Sequence, residues 1–433
     1  MSRRSRSRGL FPVVALALAG TLVACGSSTG PGSDPDGSGD GEIGGELTLA
    51  TSPEQNRGLE LFYDQFEEET GATIDAEFQQ VDSLNEQLRI QITSGTAPDM
   101  FRSAPGSSVP SAVLSLAGEG NVMDLSDQPW VEQVPDSFLP LMSNDDGLFA
   151  YPMSGQGLLM FYNRSVFEEV GVEVPTTWTE FLDVCEQIKA AGTTPIALGL
   201  GTPAYIQFIP YMLSASLVAN LDPDFIEQRA AGETTFAESE GWHETWEKFL
   251  SLIELGYTTD QPLGVASDQT IQQVGTGDAA MIALTSGSAA VLADYAPGGL
   301  DDIGIFALPA TDDPAETWTP FSPDYLVVNA NAENAPTALA FLEYLSDPAR
   351  AAQYAEETAM VPALANADPV DNDLNDVLQV FRDEDRTTPF ANHLWPNGEV
   401  QQVLMATGQQ VVEGTKTIDE LLAEMDAAFG DGA

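Results

Sequence analysis

Few side chains in this sequence carry the nucleophiles, bases or metal ligands that covalent chemistry requires. Among 433 residues there are two histidines, His243 and His393, and two cysteines, Cys25 and Cys185. Neither histidine stands in an HxxxH or HExxH spacing, so a zinc ion has no ligand frame. The sequence has no GxSxG elbow and no phosphate-cradling GxxxxGK[ST] loop. With only two lone histidines, Ser-His-Asp chemistry has little to work with. The 67 acidic residues supply a carboxylate pair at almost any separation, yet no spacing marks one pair as the acid and base of a secreted glycosidase. Cys185 falls at helical spacing with Phe181 and Ile188, which predicts a buried apolar residue rather than a reactive thiol. An enzyme is not expected, and neither a metal nor another cofactor is expected.

Cys25 is the exception. Arg3, Arg4, Arg6 and Arg8 precede an apolar stretch from Leu10 to Leu22, the layout of a secretion signal and too short to span a bilayer as a helix. Leu22-Val23-Ala24-Cys25 resembles a lipobox, in which the thiol is acylated by palmitate-like chains and residues 1–24 are removed as a signal peptide. Two or more acyl chains give stable membrane attachment where one gives a marginal one. Residues 25–42 then form the lipidated end and a tether. Gly26 to Gly41 lacks any apolar residue, and as a flexible coil it would reach roughly 20–24 Å. The folded part is therefore expected outside the cell, held to the outer face of the cytoplasmic membrane, with no disulfide partner left for Cys185.

The formal net charge is −52, while 43% of residues are apolar. That combination describes a globular core under an acidic surface rather than a disordered chain, and it argues against nucleic acid or anionic lipid as partners. Solubility or adaptation to salt is its plainest meaning. The length exceeds what one core sustains, so two lobes are expected.

Periodicity locates the elements that must position any site. Glu46 to Thr51 alternates as a strand, and a helix follows with Leu59, Phe62 and Phe66 on one face and Gly71 at its end. Ile74 to Phe78 alternates again, Leu84, Leu88 and Ile92 mark a second helix stopped by Gly95, and Pro98 to Phe101 reads as a short buried strand. Strand, helix, strand, helix, strand implies parallel pairing. Leu158 to Tyr162 suits a central strand, and Thr177 with Glu180 has the spacing of a capping box. Strands are also expected at Pro195 to Gly199, Ile303 to Pro309 and Tyr325 to Val328, and helices at Trp242 to Ile253, Ile271 to Gly275 and around Leu339 to Leu345.

Six segments in this order resemble the extracellular solute-binding proteins of ABC importers, in particular the carbohydrate-binding group that includes maltose-binding protein. They are Gly95-Thr96-Ala97-Pro98-Asp99, Tyr151-Pro152 with Phe161-Tyr162-Asn163, Pro175 to Phe181, Gly275 to Met281, Gly304 to Pro309, and the helix Ala338 to Leu345. The resemblance implies an α/β, two-lobed, periplasmic-binding-protein-like clamshell of type II, with mostly parallel sheets flanked by helices and a hinge of crossing strands. It places lobe 1 at 43–153 plus 309–345 and lobe 2 at 154–308 plus 346–433. Ser154, Gly155 and Gly157 could absorb the hinge rotation. The partners it implies are a mono- or oligosaccharide, captured by hinge closure, and the membrane permease subunits of an ABC importer; a monomer is expected.

A neutral sugar needs aromatic platforms and polar side chains at its edge. By this resemblance the platforms are Trp395 and Tyr205, with Trp318 and Phe321 as further aromatic candidates beside Pro320. The loops after the first and third strands, where Brändén's rule places ligands, supply Glu54, Gln55, Arg102, Ser103 and Ser107. Gln156 stands where maltose-binding protein has a sugar-contacting acid, Asp324 could accept paired hydroxyl bonds, and Ser286 lies in Thr285-Ser286-Gly287, where many relatives carry a stacking tryptophan. The same fold could instead bind a polyamine, a peptide or a metal complex, with Glu54 or Asp324 beside Trp318 as the cation site.

Overall fold

The computed structural model describes residues 43–430 apart from 359, 371 and 372. Cys25, the leader before it and the tether to residue 42 lie outside the described residues, as do the side chains of Glu54, Asp82 and Asp373.

Leu47 and Leu49 turn inward from β1 (Gly45–Thr51), and the helix Pro53–Thr70 lays Leu59, Phe62 and Phe66 over them until Gly71, at φ 73°, takes the left-handed conformation that ends it. β2 (Ala72–Phe78), the helix Val81–Ser94 and β3 (Met100–Ser103) follow, and β1 pairs in parallel with both neighbours. The strand–helix alternation of the sequence is thus realised.

The remaining strands of the main sheet are β4 (Tyr151–Asn163), β5 (Thr194–Ile196), β6 (Ala279–Thr285), β7 (Ile303–Phe306), β8 (Thr319–Val328), β9 (Val361–Pro362) and β10 (Thr387–Thr388). Their order is β2-β1-β3-β8-β4-β6-β5, with β7 and β9 on β4 and β10 on β8. The sheet is mixed rather than mostly parallel. β8 runs antiparallel to β3 and β4, and β4 antiparallel to β6, β7 and β9, because each pass of the chain between the two halves enters the sheet against the previous one. The expected five-residue strand at Leu158 is the second half of the 13-residue β4.

Two apolar clusters flank these long strands. The first gathers β1 to β3, the helix Pro53–Thr70 and the helix Ala335–Leu345, and continues across the sheet to Ile271, Val274, Ile282, Leu284 and Ile303. The second gathers the helices Trp178–Ala191, Glu240–Glu254, Gly398–Glu413 and Ile418–Phe429. Leu158, Met160 and Tyr162 of β4 face the second cluster, whereas Leu159 and Phe161 face the first, as the two-residue period of a strand requires.

Tyr354, Val361, Leu364 and Leu378 pack in the first cluster and Phe390 in the second. The helix Pro348–Thr358 lies so close on Gly58 that a Cβ there would sit 2.6 Å from the Tyr354 ring.

Thr177 caps its helix by accepting from the Glu180 amide at 3.2 Å, but the Glu180 carboxylate turns to the amide and hydroxyl of Thr176. The reciprocal box forms instead at Thr417 and Glu420. Cys185 is buried and unpaired, and burial pushes its thiol up, so it is inert as expected.

Candidate functional site

The carboxyl ends of β1 and β3 bring Gln55 and Arg102 to Asp324 on β8. Gln55 Nε2 donates to Asp324 Oδ2 at 2.7 Å, and Arg102 Nη2 stands 3.1 Å from Asp324 Oδ1. Thr51 Oγ1 holds the other end of the Gln55 amide at 2.5 Å. The pair has little water around it, with side-chain exposures of 13% for Arg102 and 9% for Asp324. Arg102 Nη1 is buried without a hydrogen-bond partner, an uncommon state for a guanidinium donor.

Ser322 links this cluster to the second half of the molecule. Its hydroxyl accepts from the Phe390 amide at 2.9 Å and lies 2.9 Å from His393 Nδ1. Desolvation of the imidazole, reinforced by the positive charge of Arg102, pushes the His393 pKa down to about 3, so the ring is neutral at pH 7. His393 was absent from the expected site because nothing in its sequence spacing points to a serine 71 positions away.

The segment after His393 rests directly on the loop after β3. A Cβ on Gly106, at φ 64°, would lie 2.0 Å from the His393 carbonyl oxygen, and one on Gly398 would lie 2.5 Å from the Ser108 carbonyl oxygen. Among the described residues no hydrogen bond joins residues 104–112 to residues 391–398. The two halves therefore meet here along a bare backbone seam.

The other expected residues divide between several places. Ser103 donates to the Ser111 carbonyl at 2.7 Å and so serves its own loop, and the carbonyl of Ser107 accepts from Ser115. Ser286 Oγ accepts from the Gly157 amide at 3.2 Å, and the Gln156 amide oxygen reaches to 3.7 Å of a Cβ built on Gly287, so Gln156 and Ser286 share one spot beside β4. Phe321 stacks on Phe138 at 5.7 Å, lies under the Arg382 guanidinium and covers Gly155. It is a packing residue of the first cluster.

The expected sandwich of Trp395 and Tyr205 does not form. Trp395 is enclosed by Tyr211, Phe236 and Trp242, and it forms part of the wall of a cavity of about 280 Å³. Tyr205 leans on Phe208 at 4.8 Å and packs against the first cluster, apart from that cavity. Trp318, half-buried, is the aromatic that shares the cavity with Trp395. Gln207 and Gln401, bonded side chain to side chain at 2.9 Å, mark the start of the helix Gly398–Glu413 near the seam and carried no signal in the sequence beyond their polarity.

No group of histidine, cysteine or carboxylate side chains among the described residues could hold a metal ion. None of the described helices is long and apolar enough to cross a membrane.

Known proteins share this architecture. A solved structure described as RafE in complex with raffinose superposes over 90% of this chain and 100% of its own, with a TM-score of 0.73 at 19% identity. The melibiose/raffinose/stachyose-binding protein MelE of Bacillus subtilis is 22% identical over 338 residues, 75% of this chain and 74% of that protein. A multiple sugar-binding protein of Streptococcus mutans is 24% identical over 111 residues, and the match spans only 26% of either chain. Residues 51–352 match the family of bacterial extracellular solute-binding proteins. With its two clusters, its crossing strands and a match over well more than half its length, this chain belongs to the bacterial extracellular solute-binding protein family.

Proposed function

We propose that the protein is the substrate-binding component of an ABC sugar importer, which takes a mono- or oligosaccharide between its two halves and delivers it to a membrane permease. The observation that carries this reading is the buried Arg102 donor without a partner, set where the loop after β3 meets the 391–398 segment. A sugar hydroxyl offers the acceptor that such a donor lacks, and the neighbouring amides of Gln55 and Gln156 can both give and accept. Ser103, Ser107 and Ser286 are assigned to the same proposed site as further polar groups, with Glu54 and Tyr205 as candidates from the sequence. Closure works by preference: ligand held by one half gains contacts from the other only when the halves meet.

The relatives' names support a sugar, since MelE and RafE carry names or ligands of the raffinose type. A polyamine reading loses one of its two carboxylates, because Asp324 is occupied by Arg102 and Gln55 and does not line the Trp318 cavity. Attachment through an acylated Cys25, an extracytoplasmic position, action as a monomer and docking on a permease belong to the same proposal.

Thermal denaturation with raffinose, melibiose, maltose and spermidine tests it. A ligand selective for the folded form adds about 2.7 kcal/mol at a hundredfold excess over Kd. A rise with a sugar and none with spermidine is expected; a rise with spermidine alone, or with none of the sugars, overturns the proposal.

A further inference from the structure

Where β4 and β8 cross, Ser154 pairs with Asp324 and Gln156 with Ser322, on the face that holds Arg102 and His393. Residues one step along turn the other way, as the two-residue period requires. On that opposite face Phe321 covers Gly155 and Leu378 covers Gly157. Beside them lies a cavity of about 570 Å³, framed by the segment 135–138, the stretch 362–370 and the helix Asp373–Asp383. Its apolar wall, Phe138, Phe321 and Leu364, belongs to the first cluster, so this is not the opening between the halves.

One guanidinium enters the cavity. Arg382 lies 5.3 Å from the centre of the Phe321 ring, and its Nη1 donates to the Pro362 carbonyl at 3.0 Å. Its Nε and Nη2 have no partner among the described residues, and neither is sealed from solvent. Arg57, Arg102, Arg229 and Arg386 each hold a carboxylate, whereas Arg382 has none at ion-pair distance among the described residues. Its chain neighbour Asp383 accepts from Gln379 instead. Desolvation lowers the Arg382 pKa, so its charge is poorly compensated by water.

Four carboxylates, Asp136, Asp368, Asp383 and Asp385, also line the cavity, and all are exposed at its rim. The Asp385 amide donates to the Arg382 carbonyl at 3.2 Å, which keeps those two residues within one turn of each other. A free anion meets a net charge of −52 and this rim before it reaches the guanidinium, and a free cation meets the guanidinium itself. A molecule that is neutral overall but carries both charges escapes both penalties. Its carboxylate fits the planar fork of an arginine, and its ammonium is drawn to the acidic rim.

We propose that this cavity binds a small zwitterion, a carboxylate joined to an ammonium through one or two carbons, with the carboxylate on Arg382 and the ammonium towards Asp385. The volume lies within the range of about 300–1,000 Å³ usual for small-molecule pockets.

Glycine betaine, 3,3-dimethylbutanoate and choline separate the two charges, since the second keeps the shape and the carboxylate and the third keeps the ammonium. Titrated calorimetrically into the full chain, glycine betaine should bind at least tenfold more tightly than either. Arg382→Gln should weaken betaine at least tenfold and leave choline unchanged. Asp385→Asn, at an exposed position with φ 52° that asparagine also tolerates, should fold normally, weaken betaine about two- to fivefold and leave 3,3-dimethylbutanoate no weaker. Gln156→Ala, on the other face of the crossing strands, should leave betaine affinity intact. No binding of betaine, equal affinity for betaine and either partial analogue, or full betaine affinity in both Arg382→Gln and Asp385→Asn would each overturn the proposal. Loss of betaine in Gln156→Ala would place the zwitterion on the sugar face and overturn it too, leaving the sugar proposal to its own test.

Discussion

Arg102 and Asp324 hold opposite charges where little solvent can screen them, so each depends on the other more than a surface pair would. Arg102→Ala is expected to lower stability by about 2–4 kcal/mol in urea denaturation and to weaken sugar binding as well; an unchanged urea midpoint would show the pair to be effectively in water. His393 makes a second prediction. Its folded pKa of about 3 lies below the ordinary 6.5, so the unfolded chain binds the proton first and the contribution to stability is lost as pH falls from 6.5 towards 3. His393→Asn should flatten the fall in stability across that window, where one such group contributes a slope of up to about 1.4 kcal/mol per pH unit. An identical slope in both proteins would assign the acid sensitivity to carboxylates. At this scale the sequence was only partly legible. That Gln55 and Arg102 lie together was legible because the carboxyl ends of the parallel strands β1 and β3 converge, whereas the meeting of Asp324 with them from an antiparallel strand and the destinations of Trp395, Tyr205 and Phe321 depended on distant neighbours, and no local pattern encodes that.

The crossing strands β4 and β8 depend on glycine at a single contact. A Cβ on Gly155 would lie 2.0 Å from the Phe321 ring, which is stacked on Phe138. Gly155→Ala should cost about 1–3 kcal/mol through overpacking, read as a lower melting temperature. The seam predicts a different outcome. Gly398→Ala places a methyl 2.5 Å from the Ser108 carbonyl, so it should leave the isolated halves folded but hold them apart. Sugar affinity should fall with little change in melting temperature, and scattering should show a larger radius with sugar present; full affinity would mean that closure does not need this contact. Helices and the first strands were legible from spacing, since Leu59, Phe62 and Phe66 or Leu84 and Leu88 announce one buried face. The mixed direction of the sheet was not, because Ser154, Gly155 and Gly157 interrupt the apolar run of β4 and hide that it is one strand. The packing of Tyr354 on Gly58 was hidden likewise, since the two lie nearly 300 residues apart in sequence.

Across the whole molecule, a formal charge of −52 sets like charges against each other over the entire surface. Salt shortens the reach of that repulsion from about 30 Å at 0.01 M to about 3 Å at 1 M. The melting temperature should therefore rise with sodium chloride over this range, and by more than the sugar-bound increment depends on salt, because a neutral ligand adds no charge. A falling melting temperature would show that ion pairs such as Arg229 with Asp426 outweigh the general repulsion.

The seam between Gly106 and His393 also bears on how cargo is let go. Its two faces touch carbonyl to glycine and share no polar bond, so separating them leaves no donor or acceptor stranded. The polar catch on opening, and with it the pace at which the proposed cargo would be unloaded, therefore lies beside the seam, in the Ser322 bonds to Phe390 and His393.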